Sequence, residues 1–115
     1  MTSRPRLTRR AEFLKVAAGR RKWVAPGLIL QAAAGSPAGA SWRVGFTASR
    51  KVGNAVARNR ARRRLRAAST AVLADHALQG HDYVLVARSG TLTRDYAALL
   101  GDLEEGLRRL GVYRA

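Results

Sequence analysis

At 115 residues, 47% of them hydrophobic, the chain has the size of one domain and enough apolar material for a packed core, which excludes a wholly disordered protein. With no cysteine it has no disulfide or thiolate metal site; no apolar run is long enough to span a bilayer; residues 1–12 hold five charges and no apolar h-region, which argues against a secretory signal and for a cytoplasmic protein. The formal net charge is +15, and it is uneven, because residues 1–66 carry 17 basic and 1 acidic side chains whereas residues 67–115 carry 5 and 6. Such a field attracts a polyanion: nucleic acid before an acidic membrane, since no basic segment is paired with a broad leucine or aromatic face. Of the 22 basic residues 19 are Arg, whose planar fork suits phosphate and stacks on bases, although a GC-rich genome also favours Arg over Lys, so the excess alone decides nothing.

Along the chain, residues 1–7 read as a mobile basic arm on a single domain covering 1–115. Thr8 caps a predicted helix from about Arg9 to Ala18, with Ala11, Leu14 and Ala18 on one face and Phe13 and Ala17 on a second stripe. Trp23–Ala33 contains a buried-strand candidate, Leu28-Ile29-Leu30, and Ala34–Ala40 is a flexible turn. Trp42–Ser49 alternates, with Trp42, Val44, Phe46 and Ala48 on a dry face and Arg43, Gly45, Thr47 and Ser49 on a small, polar one. Gly53-Asn54 is a turn in which Asn54 caps a helix from about Ala55 to Leu73. Its apolar stripe is Ala57, Ala61, Leu65, Ala68 and Val72, and Arg and Asn residues fan around the rest. Tyr83–Ala87 is a short buried strand. Thr93 caps a last helix in which Tyr96, Leu99, Leu100, Leu103, Leu107 and Leu110 keep helical spacing, and Gly111 ends it. The order helix, strand, strand, helix, strand, helix predicts a mixed α/β layer fold.

The segment Ser49–Arg66 holds eight positive charges and no negative one. Arg58/Arg62/Arg66 and Arg60/Arg64 are like-charge rows at i,i+4 spacing, which is unfavourable in isolation. A helix that only faced water would interleave Glu or Asp, so the missing counter-charge points to a partner's phosphates.

On Lys51-Val52-Gly53-Asn54-Ala55-Val56-x-Arg58-Asn59-Arg60-x-Arg62-Arg63-x-Leu65-Arg66 the chain resembles the family of bacterial ribonuclease P protein components, around that family's Arg-Asn-Arg core. Flanking segments agree in order and spacing: Arg6-Leu7 followed by Glu12-Phe13, then Arg43-Val44-Gly45-Phe46, then Asp82–Arg88. The resemblance implies a compact two-layer αββαβα sandwich related to a ribosomal-protein domain, with a left-handed βαβ connection through the Arg-rich helix against the usual preference. It further implies a protein subunit, expected at 1:1, that binds the catalytic RNA and the 5′ leader of precursor tRNA and assists endonucleolytic removal of the leader. Hydrolysis would be done by the RNA with Mg²⁺, with no metal held by a protein motif and no catalytic residue on this chain.

Carried over, Arg50, Lys51, Asn54, Arg58, Asn59, Arg60, Arg62, Arg63 and Arg66 form the expected face toward the catalytic RNA. Arg9, Arg10, Phe13, Lys15, Gln31 and Arg43 form the expected leader cleft. Phe13 matches a cleft aromatic, but Ala17 and Gln31 stand where many members carry aromatics. Base–aromatic stacking contributes about 1–3 kcal/mol per base, so the contact here leans on Arg9, Arg10, Lys15 and Arg43, with Trp23 and Trp42 as alternative stacking residues. A small structural RNA-binding protein of ribosomal type also explains the charge, but not the ordered signature. A stand-alone ribonuclease would need an acid/base pair, for which His76 and His81 are the only histidines available.

Overall fold

The computed structural model describes residues 6–35 and 42–115. Helix α1 spans Arg10–Ala18; strands β1, β2 and β3 span Lys22–Val24, Leu28–Ala34 and Trp42–Thr47; helix α2 spans Ala55–His76; strand β4 spans His81–Ala87; and helix α3 spans Tyr96–Arg109, after a short 3-10 turn at Ser89–Leu92. The strands form one sheet in the order β1-β2-β4-β3. β2 is antiparallel to both of its neighbours, and β3 is parallel to β4. A parallel pair needs a long crossover, which α2 supplies.

Alternation along the strands sends their side chains to two different layers. Leu28, Leu30 and Ala32 of β2, Tyr83, Leu85 and Ala87 of β4, and Trp42 and Val44 of β3 pack with Ala61, Leu65, Ala68 and Val72 of α2 and Leu99, Leu103 and Leu107 of α3. On the other face, Val84 packs with Leu7 and Val16, joined by Phe13, Ala33 and Val86. The central strand β4 is therefore dry on both faces, which is why Tyr83–Ala87 reads as an uninterrupted apolar run. The expected sandwich is the sheet with α2 and α3 on one face, and the smaller α1 covers the other.

Several boundaries differ from the sequence expectations. Trp23–Ala33 is a hairpin, not one run: Pro26-Gly27 turns the chain, and the Ala25 N–H donates to the Leu28 carbonyl at 2.8 Å. Gly27 sits close under α3, where a Cβ would lie 2.7 Å from both Asp102 Oδ2 and Leu99 Cδ1 and would push those side chains aside. The first helix begins after Arg9, and Thr8 is no cap; instead Glu12 Oε1 accepts from the Thr8 and Arg9 N–H groups, both at 2.9 Å. The arm is not free up to residue 7: Leu7 is 3% exposed, and its N–H donates to the Val44 carbonyl at 3.0 Å, covering the outer edge of β3. The turn over Ala34–Ala40 lies mostly outside the described residues. Asn54 caps α2 as expected, its Oδ1 accepting from the Ala57 N–H at 2.9 Å, and the helix continues past Leu73 to His76. Thr93 follows the 3-10 turn, and α3 starts two residues later with Asp95 at the N-cap. Gly111, at φ 72°, ends α3: its N–H bonds the Arg108 carbonyl and the Val112 N–H the Leu107 carbonyl, a Schellman closure.

Candidate nucleic-acid interface

The loop Ser49–Gly53 lifts Arg50 and Lys51 into solvent ahead of α2. The Val52 N–H bonds the Ser49 carbonyl, the Gly53 N–H bonds the Arg50 carbonyl, and Gly53 takes φ 146°, while Val52 is buried as the loop's anchor. The first turn of α2 has no acidic residue to complement the helix dipole. Among the described residues, no carboxylate lies within ion-pairing distance of any Arg or Lys between positions 50 and 66; the ion pairs are Arg43–Glu12, Arg43–Asp82, Arg94–Asp102 and Arg109–Glu105. The helix thus concentrates cations where its own electrostatics disfavour them, and it leaves them without an internal counter-charge.

The cationic residues divide between two flanks of α2. On one flank, Arg62 lines a groove of about 400 Å³ with Arg10 and Phe13 of α1 and Phe46, Thr47 and Ala48 at the end of β3. Arg62 Nη1 donates to Asn59 Oδ1 at 2.9 Å. Deeper along this flank, the Arg6 and Arg66 guanidinium carbons lie 5.6 and 5.9 Å from the Phe46 ring centre. On the other flank, Arg60, Arg63 and Arg64 turn toward Tyr96 of α3. Arg64 is fixed to the scaffold, its Nη2 donating to the Arg94 carbonyl.

The cleft residues do not all converge. Phe13 lies on Gly45, where a Cβ would sit 2.5 Å from the ring, so the ring's seat depends on glycine. Arg10 and Phe13 share the groove with Arg62, and Arg9 is exposed at the N-cap of α1. Lys15 is exposed toward Gly35, beyond β2, and Gln31 is half-buried on β2 between Lys22 and Val84. Arg43 is committed internally: its Nε and Nη2 donate to the two Asp82 oxygens at 2.9 and 2.7 Å, and its Nη1 donates to Glu12 Oε2 at 2.7 Å. Asp82 is 3% exposed. Glu12 therefore fastens α1 to the sheet as well as capping it. The backbone N–H groups of Arg9 and Thr8, aided by Arg43, hold its carboxyl below the usual range against the opposing effect of burial. Sequence reasoning missed Glu12 and Asp82; the available signal was Glu12 standing as the lone acid in the first 66 residues.

The alternative stacking residues are occupied. Trp42 is buried in the core, and Trp23 lies beneath Arg109, whose guanidinium carbon is 5.0 Å from the indole centre. The two histidines have separate partners: His76 stacks on Tyr113 with 4.4 Å between ring centres, and His81 faces Tyr83 and the Gln79 carbonyl. Among the described residues, no group of three or more His, Asp or Glu side chains could hold a metal ion, and no helix is long and apolar enough to cross a membrane.

Fold and surface together define a small α/β sandwich built around one long crossover helix whose N-terminal half is uncompensated cation. The ribonuclease P family model matches residues 1–111. Among curated relatives, the ribonuclease P protein component of Paramagnetospirillum magneticum is 59% identical over 109 residues, covering 92% of this chain and 82% of the relative. That of Gluconacetobacter diazotrophicus is 53% identical over 107 residues, covering 93% and 91%. Among solved structures, the Staphylococcus aureus RNase P protein superposes with a TM-score of 0.78 at 21% identity, covering 97% of this chain and all (100%) of that one. The Thermotoga maritima RNase P protein gives 0.72 at 23% identity, covering 93% and 96%. The chain belongs to the ribonuclease P protein family.

Proposed function

We propose that this protein, as the protein component of a bacterial ribonuclease P, binds the enzyme's catalytic RNA through the N-terminal half of α2 and the 5′ leader of precursor tRNA through the groove beside α1. It thereby assists endonucleolytic removal of the leader. The observation that carries this reading is the family signature Lys51–Arg66, running from the Ser49–Gly53 loop into α2, whose Arg and Lys side chains have no carboxylate partner among the described residues. Arg50, Lys51, Asn54, Arg58, Asn59, Arg60, Arg62, Arg63 and Arg66 are the contacts proposed for the catalytic RNA. For the leader, the groove geometry favours Arg10 and Phe13; Arg9, Lys15 and Gln31 lie outside the groove lining and would serve only a leader that runs on across α1 and β2. Arg43 takes a positioning role, because Nε, Nη1 and Nη2 each already donate to Asp82 or Glu12.

In this reading the RNA subunit performs the hydrolysis with Mg²⁺, and the protein contributes binding, orientation and neutralisation of backbone charge at 1:1 stoichiometry in the cytoplasm. The test is cleavage of precursor tRNA at low Mg²⁺ by the RNA subunit alone and with this protein added. Cleavage should rise sharply with the protein present, and the protein alone should cleave nothing. Equal rates with and without protein would overturn the reading.

A further inference from the structure

Across α2 from the Phe13 groove lies a second, differently built depression. Arg60, Arg63, Arg64 and Ala67 succeed one another at helical spacing, and with Tyr96, the first residue of α3, they line a pocket of about 340 Å³. Tyr96 is 43% exposed, an unusual placement for a ring whose helix buries Leu99, Leu103 and Leu107. Among the described residues no other ring stacks on it and no guanidinium covers it, although Arg6, Arg66, Arg108 and Arg109 each sit over another aromatic ring. Arg60 and Arg63 are exposed and have no carboxylate partner, and Arg64 closes the floor through its bond to the Arg94 carbonyl. Ala67 leaves open the space a longer side chain would fill.

We infer that this pocket is a second RNA contact, holding one unpaired nucleotide with its base on the Tyr96 ring and its phosphate between Arg60 and Arg63. The inference rests on the reading of this protein as an RNA-binding subunit. It adds a site facing away from the α1 groove, so the two sides of α2 engage different stretches of RNA. Guanidinium groups alone would accept any polyanion, but an exposed ring selects a base freed from its duplex, because only then is the base's face available for stacking.

The test uses the full chain in a Phe13→Ala background, which weakens the other groove, with a short thiouridine-substituted oligouridylate and an RNA duplex as probes. Tyr96→Leu should lower oligouridylate affinity about tenfold with the salt slope unchanged, Tyr96→Phe should bind like the parent, and duplex affinity should barely move. Arg63→Ala should reduce the salt slope by about 0.7, and photo-crosslinks should map to Tyr96. Melting temperatures of the two Tyr96 variants verify that both fold. If Tyr96→Leu binds as tightly as the parent, if crosslinks fall only in the α1 groove, or if an acidic peptide outcompetes the oligouridylate, the second site is wrong. Binding of the catalytic RNA by the parent protein separates the two levels: no measurable affinity there would overturn the RNA-subunit reading itself, whereas tight binding there beside an unaffected Tyr96→Leu rejects only the second site.

Discussion

The arginines of α2 and those of the C-terminal half have opposite fates. In residues 88–114 every arginine is engaged: Arg88 with the Ala25 carbonyl, Arg94 with Asp102, Arg108 on the Tyr113 ring, Arg109 with Glu105 and over Trp23, and Arg114 with the Ala77 carbonyl. In α2, among the described residues, only Arg64 is tied to backbone outside the helix, and only Arg66 approaches a ring. The same side chain therefore serves as a staple in one half and as a presented charge in the other. What separates the two is the local supply of acceptors, with six acidic residues after position 66 and one before it. Counting arginines says little about an interface; finding those with no internal acceptor says much more.

The largest expected effect falls on the stapled half. Asp102 is 7% exposed and accepts from the Gly27 N–H at 2.9 Å as well as from Arg94. Asp102→Ala strips a buried N–H and a guanidinium of their acceptor at once and should cost about 3 kcal/mol of stability. Chemical denaturation measures it, and a variant as stable as the parent would dissolve the distinction between the halves. Next comes the presented half: Arg60→Ala should lower affinity for the catalytic RNA by about 1–3 kcal/mol and reduce the slope of log K against log salt by about 0.7–0.9. Its melting temperature should stay unchanged or rise, since a like charge is removed from α2. A smaller change is expected for Arg108→Ala, which gives up its contact with Tyr113 at 4.3 Å. Stability should fall by about 0.5–1 kcal/mol with RNA affinity intact; equal affinity losses for Arg60→Ala and Arg108→Ala would erase the comparison.

The smallest effect is pH-dependent. The Glu12 carboxyl is held below its ordinary range in the folded protein, so its contribution is complete above the unfolded value of about 4.3 and is lost as pH falls through the lower folded value. The melting-temperature gap between the parent and Glu12→Gln should therefore be open at neutral pH and close below about pH 4. A gap that widens on acidification would mean that Glu12 is not ionised in its contact with Arg43.

Local periodicity made much of this fold legible. The Asn54 cap, the alanine–leucine stripe of α2 and the Gly111 stop each write their geometry within a few residues, and the structure follows them; the alternation read over Trp42–Ser49 holds for Trp42 and Val44, but β3 ends at Thr47 and Gly45, on the face read as polar, is buried under Phe13. Lys22-Trp23-Val24 is too short to establish a period, although Pro26-Gly27 is a turn signal that local reading can find; what no local pattern announces is the Asp102 carboxylate, 75 residues away, that accepts from the Gly27 N–H. The α2 half of the candidate interface was readable because missing carboxylates are visible in sequence. The α1 half was only partly so: Arg43 looked like a free cation, and only the pairing of β3 with β4 brings Asp82 beside it. Phe13 on Gly45, and Tyr96 beside Ala67, join residues whose nearness nothing local announces.

The position of β4 has a consequence for how the molecule is born. The last strand to leave the ribosome is the one that lies between β2 and β3, so those two earlier strands have no shared partner until His81–Ala87 emerges. The seat of α1 waits for the same event, since Asp82 and Val84 reside on β4. Until then the nascent chain holds at most a hairpin and a free, highly charged helix, and its sheet assembles in one late step through contacts distant in sequence. A nascent chain stalled with its exposed part ending before His81 should give no sheet protection in hydrogen exchange, and the protection should appear together in all strands once β4 has cleared the tunnel.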